Sequence, residues 1–65
     1  MVHKLAIKAG STIECNSLNY NVIILTYDIN DGSTYKGKGI ITADKNSWEC
    51  EEDCQIYFFI SRADD

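Results

Sequence analysis

The chain has 65 residues, 45% of them hydrophobic and 25% charged, with a formal net charge of −4. Residues 1–65 thus suffice for one small domain, near the lower limit at which an apolar core holds a fold unaided, and leave no room for a second domain or a walled cofactor cleft. The composition is that of a globular chain and excludes wholesale disorder.

No apolar stretch reaches the ~18 residues that crossing a bilayer requires. The opening Met1-Val2-His3-Lys4-Leu5 lacks the apolar segment of a secretory signal. Three cysteines are an odd number, which disfavours a closed disulfide framework of the secreted type. The expected compartment is the cytoplasm, of the cell or of a host cell if the gene is viral. The charge is unevenly placed. Residues 1–43 carry Lys4, Lys8, Lys36 and Lys38 against Glu14, Asp28 and Asp31, and residues 44–65 carry Lys45 and Arg62 against seven acids. An acidic end repels phosphate backbones and favours a basic partner, or else serves as a solubilising face.

Val2 to Ala9 alternate, with His3, Leu5, Ile7 and Ala9 on one side and the lysines on the other, the pattern of a half-buried strand. Gly10-Ser11 predicts a tight connection that folds this strand into a hairpin with a second short strand, Thr12-Ile13-Glu14-Cys15. Asn16 to Asn19 read as a polar loop. The longest β-branched and aromatic run follows, from Tyr20 to Ile29. One face carries Tyr20, Val22, Ile24 and Thr26; the other carries Ile23, Leu25, Tyr27 and Ile29. Asp31-Gly32 predicts a hairpin, because glycine supplies the positive φ such turns need. The returning strand, Ser33 to Ala43, contains Gly37 and Gly39, which mark a bend, a bulge or a close approach.

Residues 47–53 are ambiguous between a strand and one helical turn. Asn46 with Glu49 resembles a capping box, and the run of acids suits a helix start better than a strand, so the helical turn is favoured. The last strand, Cys54 to Ser61, places Ile56, Phe58 and Ile60 on one face and Tyr57 and Phe59 on the other. The last three residues, 63–65, are expected to fray. Two strands are therefore apolar on both faces, more than one small sheet hides. A large side chain left wet forgoes roughly 1.5–3 kcal/mol. A self-association face of Val22, Ile24, Tyr57 and Phe59 is the expected resolution.

Three chemistries compete for the remaining residues. Cys50 and Cys54 form a C-x₃-C pair that, with Cys15 and His3, has the donor types of a zinc site; their acidic surroundings oppose it, and reduced core cysteines are the commoner use. A disulfide between any two of the three is less favoured still. The run Trp48, Glu49, Glu51, Glu52 and Asp53 lacks the ligand spacing and glycine of a calcium loop. It suits docking of a Lys/Arg-rich protein, with Trp48 as the aromatic anchor. With one histidine in the chain and no base to activate a serine or threonine, the chain is not expected to be an enzyme and no cofactor is expected.

Tyr35-Lys36-Gly37-Lys38-Gly39-Ile40-Ile41-Thr42 and Ile56-Tyr57-Phe58-Phe59-Ile60 together resemble the two RNA-binding strands of cold-shock proteins, which run approximately K-G-F-G-F-I-T and V-F-V-H-F. The likeness covers under a third of the chain. Lys38 and Ile40 stand where the first motif has stacking aromatics, and the two strands come last here. It implies single-stranded nucleic-acid binding through Tyr35, Lys36 and Lys38 and the 35–42 and 55–60 strands.

The expected fold is all-β, or β-rich with one short helical turn: a bent antiparallel sheet or SH3/OB-like mini-barrel of four to five strands. The expected function is an acidic, non-enzymatic protein-binding module. By analogy with small phage and mobile-element proteins it would be an inhibitor or adaptor. It is expected to form a homodimer or higher oligomer, to meet a basic protein partner and to avoid membranes. Nucleic-acid binding and a zinc-stapled structural unit are the second and third readings.

Overall fold

Six strands are formed: β1 (Val2–Ile7), β2 (Thr12–Glu14), β3 (Tyr20–Asp28), β4 (Tyr35–Ile41), β5 (Ser47–Glu49) and β6 (Cys54–Arg62). The computed structural model describes residues 2–15 and 19–62, with side chains from Lys4 onward. The sequence expectations for residues 16–18 and 63–65 lie outside the described residues. The domain is all-β, as expected, with six described strands where four or five are expected. A four-stranded antiparallel sheet, in the order β1-β6-β3-β4, carries a two-stranded ribbon, β2-β5.

The hairpin at Asp31-Gly32 joins β3 to β4. Gly32 takes φ +67°, its N–H donates to the Asp28 carbonyl at 2.8 Å, and the Asp28 N–H donates to the Thr34 carbonyl at 2.9 Å. Asp31 organises the tip: its carboxylate accepts from the Ser33 N–H at 2.8 Å, the Thr34 N–H at 2.9 Å and the Thr34 hydroxyl at 2.6 Å. A register shift at Thr26/Tyr27 puts a bulge beside Gly37, as the paired glycines suggest.

Two local expectations are corrected. β1 and β2 do not form a hairpin: β1 pairs with β6, while β2 pairs with β5. Gly10 does turn the chain, at φ +87°, with the Ser11 N–H on the Lys8 carbonyl at 3.1 Å, but the turn delivers the chain to the ribbon. Residues 47–53 contain no helical turn either. Ser47–Glu49 is a strand because pairing with Thr12–Glu14 sets Trp48 opposite Ile13, and their burial outweighs the weak helix preference of the acids.

The core lies between the sheet and the ribbon. Val22, Ile24, Ile41 and Ile56 come from the sheet, joined by Cys50 and Cys54; Ile13, Cys15 and Trp48 pack against them from the ribbon side. Ile24 and Ile56 are fully buried, the two central strands meeting the core at its middle. Each contributes roughly 2–3 kcal/mol by removal from water. Gly39 admits the indole of Trp48. A Cβ there would stand 2.5 Å from Nε1 and 2.6 Å from Cδ1, so only glycine lets the ring lie on the strand.

Candidate binding surface

Residues opposite one another in an antiparallel ladder share a face, so the register fixes both sides of the four-stranded sheet. Ile24 stands opposite Phe58 and Gly39, and Val22 opposite Ile60 and Ile41; this is the inner face. Leu25 stands opposite Tyr57 and Lys38, and Ile23 opposite Phe59 and Ile40; this is the outer face. The expected self-association face is therefore corrected. Val22 and Ile24 are 6% and 0% exposed and lie in the core, whereas Tyr57 and Phe59 are half-buried on the opposite side. The alternation within each strand is legible in the sequence, but which face of β3 lies on the same side as Tyr57 and Phe59 is not, because the register between strands distant in the chain leaves no local trace. The residues missed are Ile23, Leu25 and Ile40, of which Ile40 is 45% exposed.

An aromatic cluster occupies one end of the outer face. The Tyr27 ring meets Tyr57 edge-on at 5.1 Å and Tyr35 at 5.8 Å, geometries favoured by the ring quadrupoles. Lys4, from β1, holds its ammonium 5.6 Å from the centre of the Tyr57 ring, a cation–π contact. Lys38 enters from β4, at the other edge. No Asp or Glu stands at any described register position of this face, in a chain with ten acids. The two central strands, β6 and β3, present only uncharged side chains there, and both lysines stand on the edge strands.

The acidic stretch is assembled differently from its expected role. Trp48 is half-buried and packs against the core, so it is a structural ring and not an exposed anchor. Asp53 ties the turn before β6 to the end of β1, its Oδ1 accepting the Ala9 N–H at 2.8 Å. Glu49, Glu51 and Glu52 remain exposed along a shallow groove of about 520 Å³ that they share with Lys36 and Lys38. Glu52 approaches the Lys36 ammonium at 3.9 Å, an exposed ion pair that contributes little.

The zinc set is not brought together. Cys50 and Cys54 adjoin, with Sγ atoms 3.4 Å apart, but among the described residues no three His, Cys, Asp or Glu side chains converge to hold a metal. The His3 side chain lies outside the described residues. All three cysteines are free thiols. Burial, with the neighbouring Cys50 thiol and the Glu52 and Asp53 charges, pushes the Cys54 thiol up to about 12, which keeps it protonated near neutral pH. The strands that resemble the cold-shock pair, β4 and β6, lie in one sheet but with β3 between them.

Comparison with known proteins finds no matching family model, no matching curated protein and no matching solved structure. Among the described residues no helix is long and apolar enough to cross a membrane.

Proposed function

We propose that the chain is a small, acidic, non-enzymatic binding module of the inhibitor or adaptor type, acting in the cytoplasm, and that it self-associates through the outer face of its four-stranded sheet. One observation carries this reading: the centre of that face is uncharged and largely apolar, through Ile23, Leu25, Tyr57 and Phe59, while among the described residues its charges are Lys4 and Lys38 on the edge strands. An apolar centre with a polar rim is the anatomy of a protein interface. Four strands at ~4.8 Å spacing and about six residues at ~3.3 Å rise give a sheet plane on the order of 400 Å² per copy. Two such faces fall below the roughly 1,200–2,000 Å² of a stable complex, so the pairing is weak and reversible. The exposed Glu49, Glu51 and Glu52 remain available to a basic protein partner.

Sedimentation equilibrium from micromolar to millimolar concentration tests the reading. The wild-type chain is expected to dimerise, more strongly at higher salt because like charges on the two copies are screened. Leu25→Glu, which places a carboxylate at the centre of the face, is expected to stay monomeric with unchanged circular dichroism. A wild-type chain that is monomeric throughout would overturn self-association.

The tyrosine cluster flanked by Lys4 and Lys38 favours a second reading, single-stranded nucleic-acid binding. It ranks lower because the rings pack edge-on against one another instead of lying flat as stacking platforms. Anisotropy of a labelled oligonucleotide decides it: this reading requires binding at low salt that weakens as salt rises.

A further inference from the structure

Cys50 and Cys54 stand on either side of the short turn that joins β5 to β6. Their sulfurs are 3.4 Å apart, and both residues are 2% exposed. A displacement of about 1.4 Å closes that gap to the ~2.05 Å of a disulfide bond. The three residues between them, Glu51, Glu52 and Asp53, are exposed, so a small opening of this turn uncovers both sulfurs. Cys50 is also the joint between the ribbon and the first turn of the chain. Its carbonyl accepts the Gly10 N–H and its N–H donates to the Ser11 carbonyl, each at 2.8 Å. Beside it Asp53 holds the Ala9 N–H. A bond at this point ties the start of β6 to the place where β5 and the Ala9–Ser11 turn already meet.

We propose that Cys50 and Cys54 are a redox modification site, a dithiol that a small-molecule disulfide converts to an intramolecular Cys50–Cys54 disulfide. One cysteine thiolate attacks a sulfur of the reagent R–S–S–R, forming a mixed disulfide and expelling RS⁻. The other cysteine, deprotonated once the opened turn admits water and relieves its burial, then attacks the protein sulfur of that mixed disulfide, forming the Cys50–Cys54 bond and expelling the second RS⁻. The protein loses two electrons to the reagent, and its two thiol protons leave on the two RSH molecules. Glu49, Glu51, Glu52 and Asp53 surround the turn, so a cationic reagent is attracted and an anionic one repelled.

The test uses the full chain with Cys15→Ser, so that only the pair can react, treated with cystamine, a dicationic disulfide, or with anionic oxidised glutathione. The expected product is a monomer lighter by two hydrogen atoms, with no retained reagent and with a disulfide mapping to the peptide that spans 50–54. Cystamine is expected to react several-fold faster than glutathione disulfide at low ionic strength, the two rates converging as salt is added. With Cys54→Ser added, the reaction is expected to stop at a mixed disulfide on Cys50. If Cys15→Ser does not fold, the wild-type chain with its bonds mapped by peptide mass gives the same answer. Stable mixed disulfides on the intact pair, a linkage between chains, or two thiols that persist through prolonged exposure would each overturn the assignment.

Discussion

Replacing Gly39 by alanine strikes the contact that seats the ribbon on the sheet. The added Cβ would lie 2.5 Å from Trp48 Nε1 and 2.6 Å from Cδ1, against the ~3.5–4.0 Å of ordinary contact. The indole must therefore move by about 1 Å or more, away from the core it covers. Overpacking of this kind costs about 1–3 kcal/mol, while losing a glycine from the unfolded chain returns roughly 0.4–1 kcal/mol. The steric effect wins, leaving a net loss of about 1–2 kcal/mol. At ~2.1 cal/mol/K per residue, a domain this small loses about 7 °C in Tm for each kcal/mol. Trp48 is the only tryptophan, so its fluorescence reports its own displacement while urea unfolding gives the stability. Gly37→Ala is the control: a Cβ there meets only Thr26 Oγ1, at 3.5 Å, and stability is expected to hold or rise slightly. If Gly39→Ala matched Gly37→Ala in urea with unshifted emission, the account of how the ribbon packs would be wrong.

Two glycines with positive φ separate backbone strain from crowding. Gly10→Ala meets nothing within 4 Å and should lose about 1 kcal/mol to strain alone. Gly32→Ala also drives into the Gln55 amide, 2.7 Å away, whose Nε2 donates to the Ile29 carbonyl at 3.0 Å; it should lose about 1 kcal/mol more, and equal urea midpoints would contradict this. The Thr34 hydroxyl, with the Ser33 and Thr34 N–H groups, holds Asp31 at about 2, below its ordinary 3.8. Since the folded value is the lower one, the fold binds fewer protons in that window, and the Asp31 contribution is complete above 3.8 and lost as pH falls toward 2. A carboxyl titration by NMR should show this midpoint, and Thr34→Val should raise it; a wild-type midpoint of 3.8 would refute the assignment. The Cys54 thiol, raised from 9.0 to about 12, has the opposite sign. Its contribution is complete below 9.0 and lost as pH rises toward 12, so ultraviolet titration should detect its thiolate only far above pH 9 or after alkaline unfolding.

Local chemistry in the sequence was enough to locate the hairpin, since Asp31-Gly32 closes it through contacts within a few residues. The two strands that read as apolar on both faces, β3 and β6, are the central pair of the sheet, where a strand has neighbours on both sides and a covered core face. What failed was non-local. Gly10-Ser11 has the same turn chemistry whether the chain doubles back or crosses to another sheet. Trp48-Glu49 became a strand because Ile13, far away in sequence, lies beside it. The outer face could be found only after the parity of β3 against β6 was known, and no turn connects those two strands. The acidic stretch was visible as charge, but the packing of Trp48 and the backbone bond to Asp53 were not.

The strand order has a consequence for how the chain is made. β6 is inserted between β1 and β3, so until the ribosome has released the segment ending at Arg62, β1 has no ladder to join and β3 is paired on one side only. A growing chain at that stage can hold its β3–β4 hairpin, yet each flank that β6 will occupy stays bare. Premature termination anywhere in β6 would thus leave sticky, half-zipped strands open to proteases and to one another.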